Sequence, residues 1–371
     1  MSAGSQSETA EESPEAPPSV LRRVLPKLVL SLVLGGIFAW IAARGGVPLI
    51  PSGEAFGHVV WWTVPAYIAT LAVTHWFRAS RWRFLIAPIK ELPLREVIAL
   101  NWIGFFAIFA LPLRLGEMAR PALTKLRQGI SVSAGFGTIA VERVVDGLVT
   151  SLCVAWALFA LPQVETDDPI AQALPLYGYV ALAVFGSAFI ALAVFLWQRA
   201  WAVRTTEKVI GLVSKRVGSL LAEKVDQVAD GIRSLGSLKL TAGFLTETMI
   251  YWGTNAAGMW LLAWGCGIPV TPGHGVAIMG ILAIGILLPT GPGLFGAFQL
   301  AISTGLKLYF AESLVGEQGA VYIFLMYVIQ SIFITIAGIV PLFAMNIGIG
   351  DLLGAEQIKQ GLSQPPPPKT F

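Results

Sequence analysis

The chain has 371 residues, of which 55% are hydrophobic and only 13% are charged, and its mean hydropathy is +0.72. A soluble protein carries about 25% charged residues, so this composition excludes an ordinary soluble domain and predicts one all-α polytopic membrane domain. The net charge of +3 is too small to favour nucleic acid as a partner. The two cysteines lie in apolar runs and the three histidines are scattered, so we expect no disulfide framework, no metal site and no cofactor.

The two ends of the chain are predicted to be tails. Residues 1–19 are acidic, rich in Ser and Pro, and lack Lys and Arg, so we predict a disordered tail over 1–21. Basic residues then precede the first apolar run, which predicts an uncleaved signal anchor with a cytoplasmic N-terminus. The membrane domain should cover 22–346, and a flexible, cytoplasmic C-terminal tail should cover 347–371.

Six apolar runs are close to the ~20 residues that a helix needs to cross a bilayer. They lie at about 28–43, 58–77, 134–161, 175–198, 241–266 and 320–345. Two further runs, 96–118 and 275–310, are each interrupted by proline or glycine. Because broken backbone at membrane depth must be surrounded by protein or water, both are predicted to be re-entrant helical hairpins inside the bundle. The residues expected to break these helices are Pro112, Pro289, Gly291, Pro292 and Gly293.

The distribution of charge predicts how these elements are oriented. Lys and Arg lie on both sides of the first hairpin, which places its two ends in the cytoplasm, whereas the acidic loop 162–174 should lie outside. The basic segment 199–239 returns the chain to the cytoplasm, so the second hairpin should begin and end outside. The halves 22–161 and 175–346 would then form an inverted repeat, an arrangement typical of transporters. Between them, 202–236 is amphipathic and should lie along the interface, either as a plain connection or as a lipid sensor.

Six ionisable residues interrupt the apolar pattern near the middle of the membrane. A charge at the centre of a transmembrane helix costs at least ~2.5–3.5 kcal/mol, so such residues face a cavity or one another. A helix that begins near Ser131 would place Glu142 about 16 Å along its axis, close to the bilayer centre. Arginine suits phosphate groups because its guanidinium can donate two parallel hydrogen bonds. The candidate substrate-binding residues are Arg114, Glu117, Arg120, Glu142, Arg143 and Asp146.

Other interpretations of these charges stay open. The six residues could instead form a structural salt-bridge network, in which Arg143 can pair with Asp146 three positions later. Helical spacing also predicts that Arg114, Glu117 and Arg120 form one stripe on the second limb of the first hairpin. The weaker candidates for headgroup contact are Arg78, Arg81 and Arg83, which could equally act only as determinants of topology.

Four segments of the chain resemble the lysylphosphatidylglycerol synthase transmembrane region, which is also described as flippase-like. They are Phe77–Arg83, Leu113–Pro121, Val141–Asp146 and Pro289–Gly296. The resemblance adds Gly296 to the hairpin residues and implies a role in moving a modified phospholipid between leaflets. Larger members also carry an aminoacyl-transferase domain; because this chain ends before one, we expect no synthase activity.

Two positions depart from the family pattern, which reads Pro-Gly-Gly-Leu-Gly followed shortly by Glu. Leu294 stands at the second Gly, and Gln299 stands where the Glu would fall. A glutamine can form hydrogen bonds but cannot carry a proton, so proton coupling at position 299 is not expected. We keep Gln299 as a candidate residue of the second hairpin.

These observations predict a flippase for an anionic phospholipid or a lipid-linked headgroup in the bacterial inner membrane. Its partners would be membrane lipids, together with a second copy of the chain or a lipid-modifying enzyme. We predict no enzymatic activity, because no ATPase motif accompanies the membrane domain. Two alternatives are an intramembrane lipid-modifying enzyme that uses Glu142 or Asp146 as a general base, and a scaffold that binds lipid without transporting it.

Overall fold

The computed structural model describes residues 20–44, 48–111, 116–198, 237–287 and 291–347. Within these ranges the regular structure is helical and contains no strand. The predicted amphipathic segment 202–236, the C-terminal tail from 348 onwards and the first 19 residues lie outside the described ranges. The candidate residues Pro112, Arg114 and Pro289 also lie outside them.

Eleven of the described helices position the site and are numbered here in chain order. They are α1 (Val20–Arg44), α2 (Thr63–Ser80), α3 (Trp82–Ile86), α4 (Leu94–Ala110), α5 (Ala119–Gln128), α6 (Val132–Ala160), α7 (Pro169–Trp197), α8 (Leu238–Gly265), α9 (Pro272–Gly285), α10 (Ala297–Lys307) and α11 (Ala320–Ala344). A turn of helix at Glu312–Leu314 and a π-helical turn at Val315–Gly319 lead into α11. Short 3₁₀ turns occur at Gly53–His58 and Pro292–Leu294.

Three helical stretches are long and apolar enough to cross a membrane by length and composition: Val132–Ala160, Pro169–Val194 and Glu312–Ala344. The other three predicted spans also form helices, namely α1, α2 and α8. The start of α7 lies six residues before the predicted position. Asp168 explains this, because its carboxylate accepts hydrogen bonds from the backbone of Ile170 (2.9 Å) and Ala171 (3.1 Å). An acidic N-cap followed by proline is a strong start signal for a helix.

The first predicted hairpin corresponds to the antiparallel pair α4 and α5. At one end, Gly116 lies so close to Ala107 that a side chain there would clash with its carbonyl group. At the other end, the side chain of Gln128 donates a hydrogen bond to Glu96. The second limb begins only at Ala119, later than the sequence predicts, and residues 116–118 form a 3₁₀ turn. Glu117 therefore precedes the helix of Arg120, and the predicted helical stripe of charges does not extend to it.

The second predicted hairpin corresponds to the antiparallel pair α9 and α10. A Cβ built on Gly285 would lie 2.5 Å from the Cβ of Ala301, and one built on Gly305 would lie 3.3 Å from Ile281. With 14 residues, α9 is about 21 Å long, which is shorter than the hydrocarbon layer. The turn between these helices closes against α4 and α11, since a Cβ on Gly293 would lie 3.4 Å from Phe109 and 2.9 Å from Tyr327 Oη.

The two helix pairs point in opposite directions, so that their turns meet. The α4–α5 pair has its open end at the start of α6, where Arg127 donates a hydrogen bond to the carbonyl of Met345. The α9–α10 pair has its open end at the other end of α6, where the backbone N–H of Val164 donates to the carbonyl of Leu308 (3.0 Å). The two pairs therefore enter the bundle from opposite ends.

Candidate functional site

A cavity of about 200 Å³ lies where the turns of the two helix pairs meet. Helices α2, α4, α6, α8, α9, α10 and α11 line it, together with Phe185 of α7. Its polar lining residues include His75, Arg78, Arg143, Asp146, Asn255 and Gln330. Its apolar lining residues include Leu71, Ile108, Leu282, Ile286, Leu294 and Ile334. The lining can therefore contact both a polar group and hydrocarbon.

Asp146 is held in the cavity wall by Arg81, which is buried behind it. The two guanidinium nitrogens of Arg81 lie 2.6 Å from the two carboxylate oxygens, which is a bidentate ion pair. Trp252 Nε1 donates to Asp146 Oδ1 (3.0 Å), and Arg81 also donates to Thr248 Oγ1 (3.1 Å). The expected pairing of Arg143 with Asp146 is therefore not formed. Arg81 approaches with the two-pronged geometry that arginine prefers, and it occupies both oxygens.

Glu142 forms a second ion pair one helical turn earlier in α6. Its partner is Arg120 of α5, which also donates a hydrogen bond to the side-chain oxygen of Asn101. Both charged side chains are 7% exposed. The guanidinium carbon of Arg120 lies 5.3 Å from the ring centre of Trp82. This network fixes the α4–α5 pair to α6, because separating them would leave buried charges without partners.

A third ion pair joins Arg83 to Glu247 of α8. Ser80 also donates a hydrogen bond to Glu247. The Arg83 side chain is 40% exposed, whereas Glu247 is buried. The pair thus lies at the edge of the bundle and links α3 to α8, while Ser80 links the end of α2 to the same carboxylate.

Arg78 and Arg143 differ from these three arginines. Both line the cavity, and neither makes an ion pair within the described part of the chain. Arg78 lies over the ring of Phe105, with 4.1 Å between its guanidinium carbon and the ring centre. The Nε atom of Arg143 is buried and has no hydrogen-bond partner among the described residues. The cavity wall thus has an excess of positive charge.

The structure brings only some of the predicted residues together. Of the six central candidates, Arg143 and Asp146 line the cavity. Glu117 and Arg120 instead line a smaller void on the far side of Arg143, and Glu142 is buried against Arg120. Of the three weaker candidates, Arg78 lies in the cavity, Arg81 behind it and Arg83 at the bundle edge.

The hairpin candidates divide in the same way. Gly293 lines the cavity. It lies in the same 3₁₀ turn as Pro292 and has a positive φ of 74°. Gly291 and Gly296 pack against α1 instead; a Cβ on Gly296 would clash with the carbonyl oxygen of Gly35. The side chain of Gln299 accepts a hydrogen bond from the backbone N–H of Gly296 (2.8 Å) and so caps α10. A capping role explains a glutamine at this position without proton transfer.

Sequence reasoning missed the residues that complete these networks. Glu247 is an acidic residue inside the predicted span 241–266, and this signal alone could have marked it. Trp252, Asn101 and Thr248 carry no distinctive pattern in the sequence. Their roles become visible only when helices distant in the chain are packed together.

Comparison with known proteins identifies the family. No curated protein and no solved structure matches the chain. The model of the family described as "Lysylphosphatidylglycerol synthase TM region" matches residues 25–338, a range that includes all of the residues that line the cavity. The protein is therefore an integral membrane protein that belongs to the lysylphosphatidylglycerol synthase TM region family, a lipid-related membrane family.

Proposed function

We propose that this protein moves an anionic phospholipid or a lipid-linked headgroup between the two leaflets of the membrane. The observation that carries the proposal is the cavity at the meeting point of the two helix pairs, which is lined by Arg78 and Arg143 together with hydrocarbon side chains. A site with broken helices on both sides of a central cavity is typical of membrane transporters. Membership of a lipid-related family supports a lipid as the cargo.

The opposite orientation of the helix pairs supports alternating access. If α1, α2, α6, α7, α8 and α11 cross the bilayer, the short pairs α4–α5 and α9–α10 enter it from opposite sides and turn near its centre. Each pair would then separate the cavity from one side of the membrane. Rocking of one pair at a time could open the cavity to each leaflet in turn.

The proposed orientation places both termini in the cytoplasm of a bacterial cell and the α6–α7 loop outside. Lys125, at the open end of the first pair, and Asp167, in the α6–α7 loop, lie near opposite ends of α6. Single cysteines at these positions in a cysteine-free background should react from opposite sides of the membrane. Reaction of both with an impermeant thiol reagent added outside would overturn the orientation.

An enzymatic role is supported less well. As a general base, Asp146 would need an oxygen available to a substrate proton, yet Arg81 engages both of its carboxylate oxygens, and Glu142 is buried against Arg120 and does not line the cavity. We therefore propose that the chain has no catalytic activity of its own. Incubation with lipid followed by mass spectrometry tests this, because an enzyme would change lipid mass and a transporter or scaffold would not.

Transport is tested by exchange of labelled phosphatidylglycerol between leaflets in proteoliposomes. The protein should accelerate exchange over protein-free vesicles, and Ala283→Trp should slow it because residue 283 lines the cavity. Ala311→Trp is the matched control, since Ala311 is exposed in the turn after α10. Exchange no faster than in empty vesicles would reject transport and leave the scaffold as the better explanation.

A further inference from the structure

The arginines around α6 are sorted into two groups by their partners. Arg81 and Arg120 each hold a buried carboxylate. Arg78 and Arg143 line the cavity and have no carboxylate partner within the described ranges. The acid that shares this cavity, Asp146, has both oxygens engaged by Arg81. Its negative charge is therefore already compensated from behind the wall.

Two arginines in this state are costly at membrane depth. A charge without a counter-charge is unfavourable in a transmembrane helix. The ring of Phe105 beneath Arg78 offsets part of this cost through a cation–π contact. A negatively charged ligand in the cavity would compensate the remainder. Arginine is well suited to a phosphate, because the planar guanidinium donates parallel hydrogen bonds to two oxygens.

We propose that Arg78 and Arg143 together bind the phosphate group of a lipid whose headgroup has a net negative charge. This inference rests on the proposed function and names the class of lipid that the same cavity accepts. A lysyl ester of phosphatidylglycerol carries two amino groups and a net positive charge, so the two arginines disfavour it. The family is named after the lysylated lipid, but this chain's cavity selects the unmodified, anionic form.

The rest of the cavity indicates that the phosphate belongs to a lipid rather than to free phosphate. Leu282, Ile286 and Ile334 line the same space, and such a surface gains by contact with glycerol and methylene groups. A volume of about 200 Å³ is below the ~300 Å³ of a typical small-molecule site. It holds a headgroup and leaves the acyl chains in the surrounding membrane.

The arginine variants needed for a test should fold. Replacing Arg81 or Arg120 would leave a buried carboxylate alone, whereas Arg78→Gln and Arg143→Gln leave no described carboxylate without its partner. Arg143→Lys keeps the charge but loses the two-pronged geometry. Arg95→Gln is the matched control, because Arg95 is exposed at the start of α4 and its loss changes the net charge equally.

Binding is measured by native mass spectrometry of the detergent-solubilised full chain, titrated with phosphatidylglycerol, phosphatidylcholine or lysylphosphatidylglycerol. The wild type should bind phosphatidylglycerol most tightly and the lysylated lipid least. Each Gln variant should weaken phosphatidylglycerol binding roughly tenfold, as loss of a hydrogen bond to a charged group implies. Arg143→Lys should weaken it less, and Arg95→Gln should not change it.

Several results would overturn the inference. Unchanged phosphatidylglycerol binding in the Arg78→Gln and Arg143→Gln double variant would do so, and so would equal affinity for the lysylated lipid. Displacement of phosphatidylglycerol by an equal concentration of inorganic phosphate would assign the site to free phosphate instead. Transport is judged separately: a wild type that shows the expected binding without leaflet exchange would reject transport and keep the site. A double variant that exchanges lipid at the wild-type rate would reject the site and keep transport.

Discussion

The two helix pairs that meet at the cavity are held in place by different forces. The α4–α5 pair is tied to α6 by the buried ion pair of Arg120 with Glu142. The turn of the α9–α10 pair has no ionisable residue among those described; Gly293 packs against the side chains of Phe109 and Tyr327, and Gly296 packs against the backbone of α1. The first pair thus depends on charge compensation, whereas the second depends on the absence of side chains.

This difference separates two kinds of constraint in a membrane protein. Apolar surfaces give helices little reason to associate within hydrocarbon. Either polar contacts or close packing of small residues must therefore hold the helices together. Charge compensation is strong but tolerates replacement of both partners together. Close backbone approach tolerates no added atom, because the neighbour is itself backbone. Variants of each pair should therefore fail in different ways.

The largest effect is expected when one partner of the Arg120–Glu142 ion pair is replaced by an apolar residue. Arg120→Met should destabilise the protein by about 3–5 kcal/mol, because Glu142 would be left buried without its partner. Arg120→Met combined with Glu142→Leu should regain most of this loss. Arg78→Met is the matched control, since Arg78 holds no described carboxylate. The midpoint of thermal unfolding in detergent measures all three, and a double variant as unstable as the single one would contradict the interpretation.

A single added methyl group should destabilise the turn of the α9–α10 pair. Gly296→Ala should cost roughly 2–4 kcal/mol, because its φ of 84° is unfavourable for alanine and the Cβ would clash with Gly35. Gly36→Ala provides the control, since a Cβ there meets nothing within 4 Å. The control should be neutral or slightly stabilising because alanine favours helix more than glycine does. Equal unfolding midpoints for the two variants would show that close approach at Gly296 does not hold this turn.

A smaller effect on stability is expected at Leu294, where the backbone conformation shapes the turn of the α9–α10 pair. Leu294 has a positive φ of 57°, a region that glycine adopts readily and leucine does not. This conformation explains why the family pattern has glycine there. Leu294→Gly should therefore be more stable than Leu294→Ala by about 1 kcal/mol, because both lose the leucine side chain and only glycine relieves the strain. The same unfolding assay compares them, and an alanine variant at least as stable as the glycine variant would remove strain from the explanation.

The smallest effect concerns charge at the open end of the second pair, outside the membrane-spanning segments. Asp168 is partly buried, which opposes ionisation, but the hydrogen bond from Lys307 (2.8 Å) and the N–H groups of Ala171 and Ile170 lower its pKa below the usual value. A lowered folded pKa adds stability above the unfolded pKa, and this stability is lost as pH falls through the folded pKa. Asp168→Asn should therefore cost about 1 kcal/mol or less at pH 7, and the difference should vanish in acid.

Asparagine suits this test because it caps helices about as well as aspartate, so only the charge is removed. Asp167→Asn is the control, as Asp167 is exposed in the same loop. Unfolding midpoints for both variants and the wild type are compared between pH 7 and pH 3. A wild-type advantage as large at pH 3 as at pH 7 would show that the Asp168 charge is not its source.

Several features of the fold follow from local sequence signals. Ser131 caps α6 as predicted, with its hydroxyl accepting a hydrogen bond from the Ala134 N–H (3.2 Å). The breaks near Pro112 and at Pro292 and Gly293 lie between short helices that form antiparallel pairs. These features are predictable because helix starts and breaks depend on residues within a few positions of one another. The start of α7 differs from the predicted position 175 because Asp168 and Pro169 form a local start signal six residues earlier.

Sequence by itself thus determined that the protein is a helical membrane protein of this family, roughly which segments form helices, and which segments carry charge. Tertiary structure alone decided which charges are compensated: Arg81 pairs with Asp146, Arg120 pairs with Glu142, and Arg78 and Arg143 line the cavity. The physical reason is that an ion pair depends on distances between helices, and positions 81 and 146 become neighbours only through packing. Helical spacing relates the charges within α6 to one another, but the partner of each paired charge belongs to another helix.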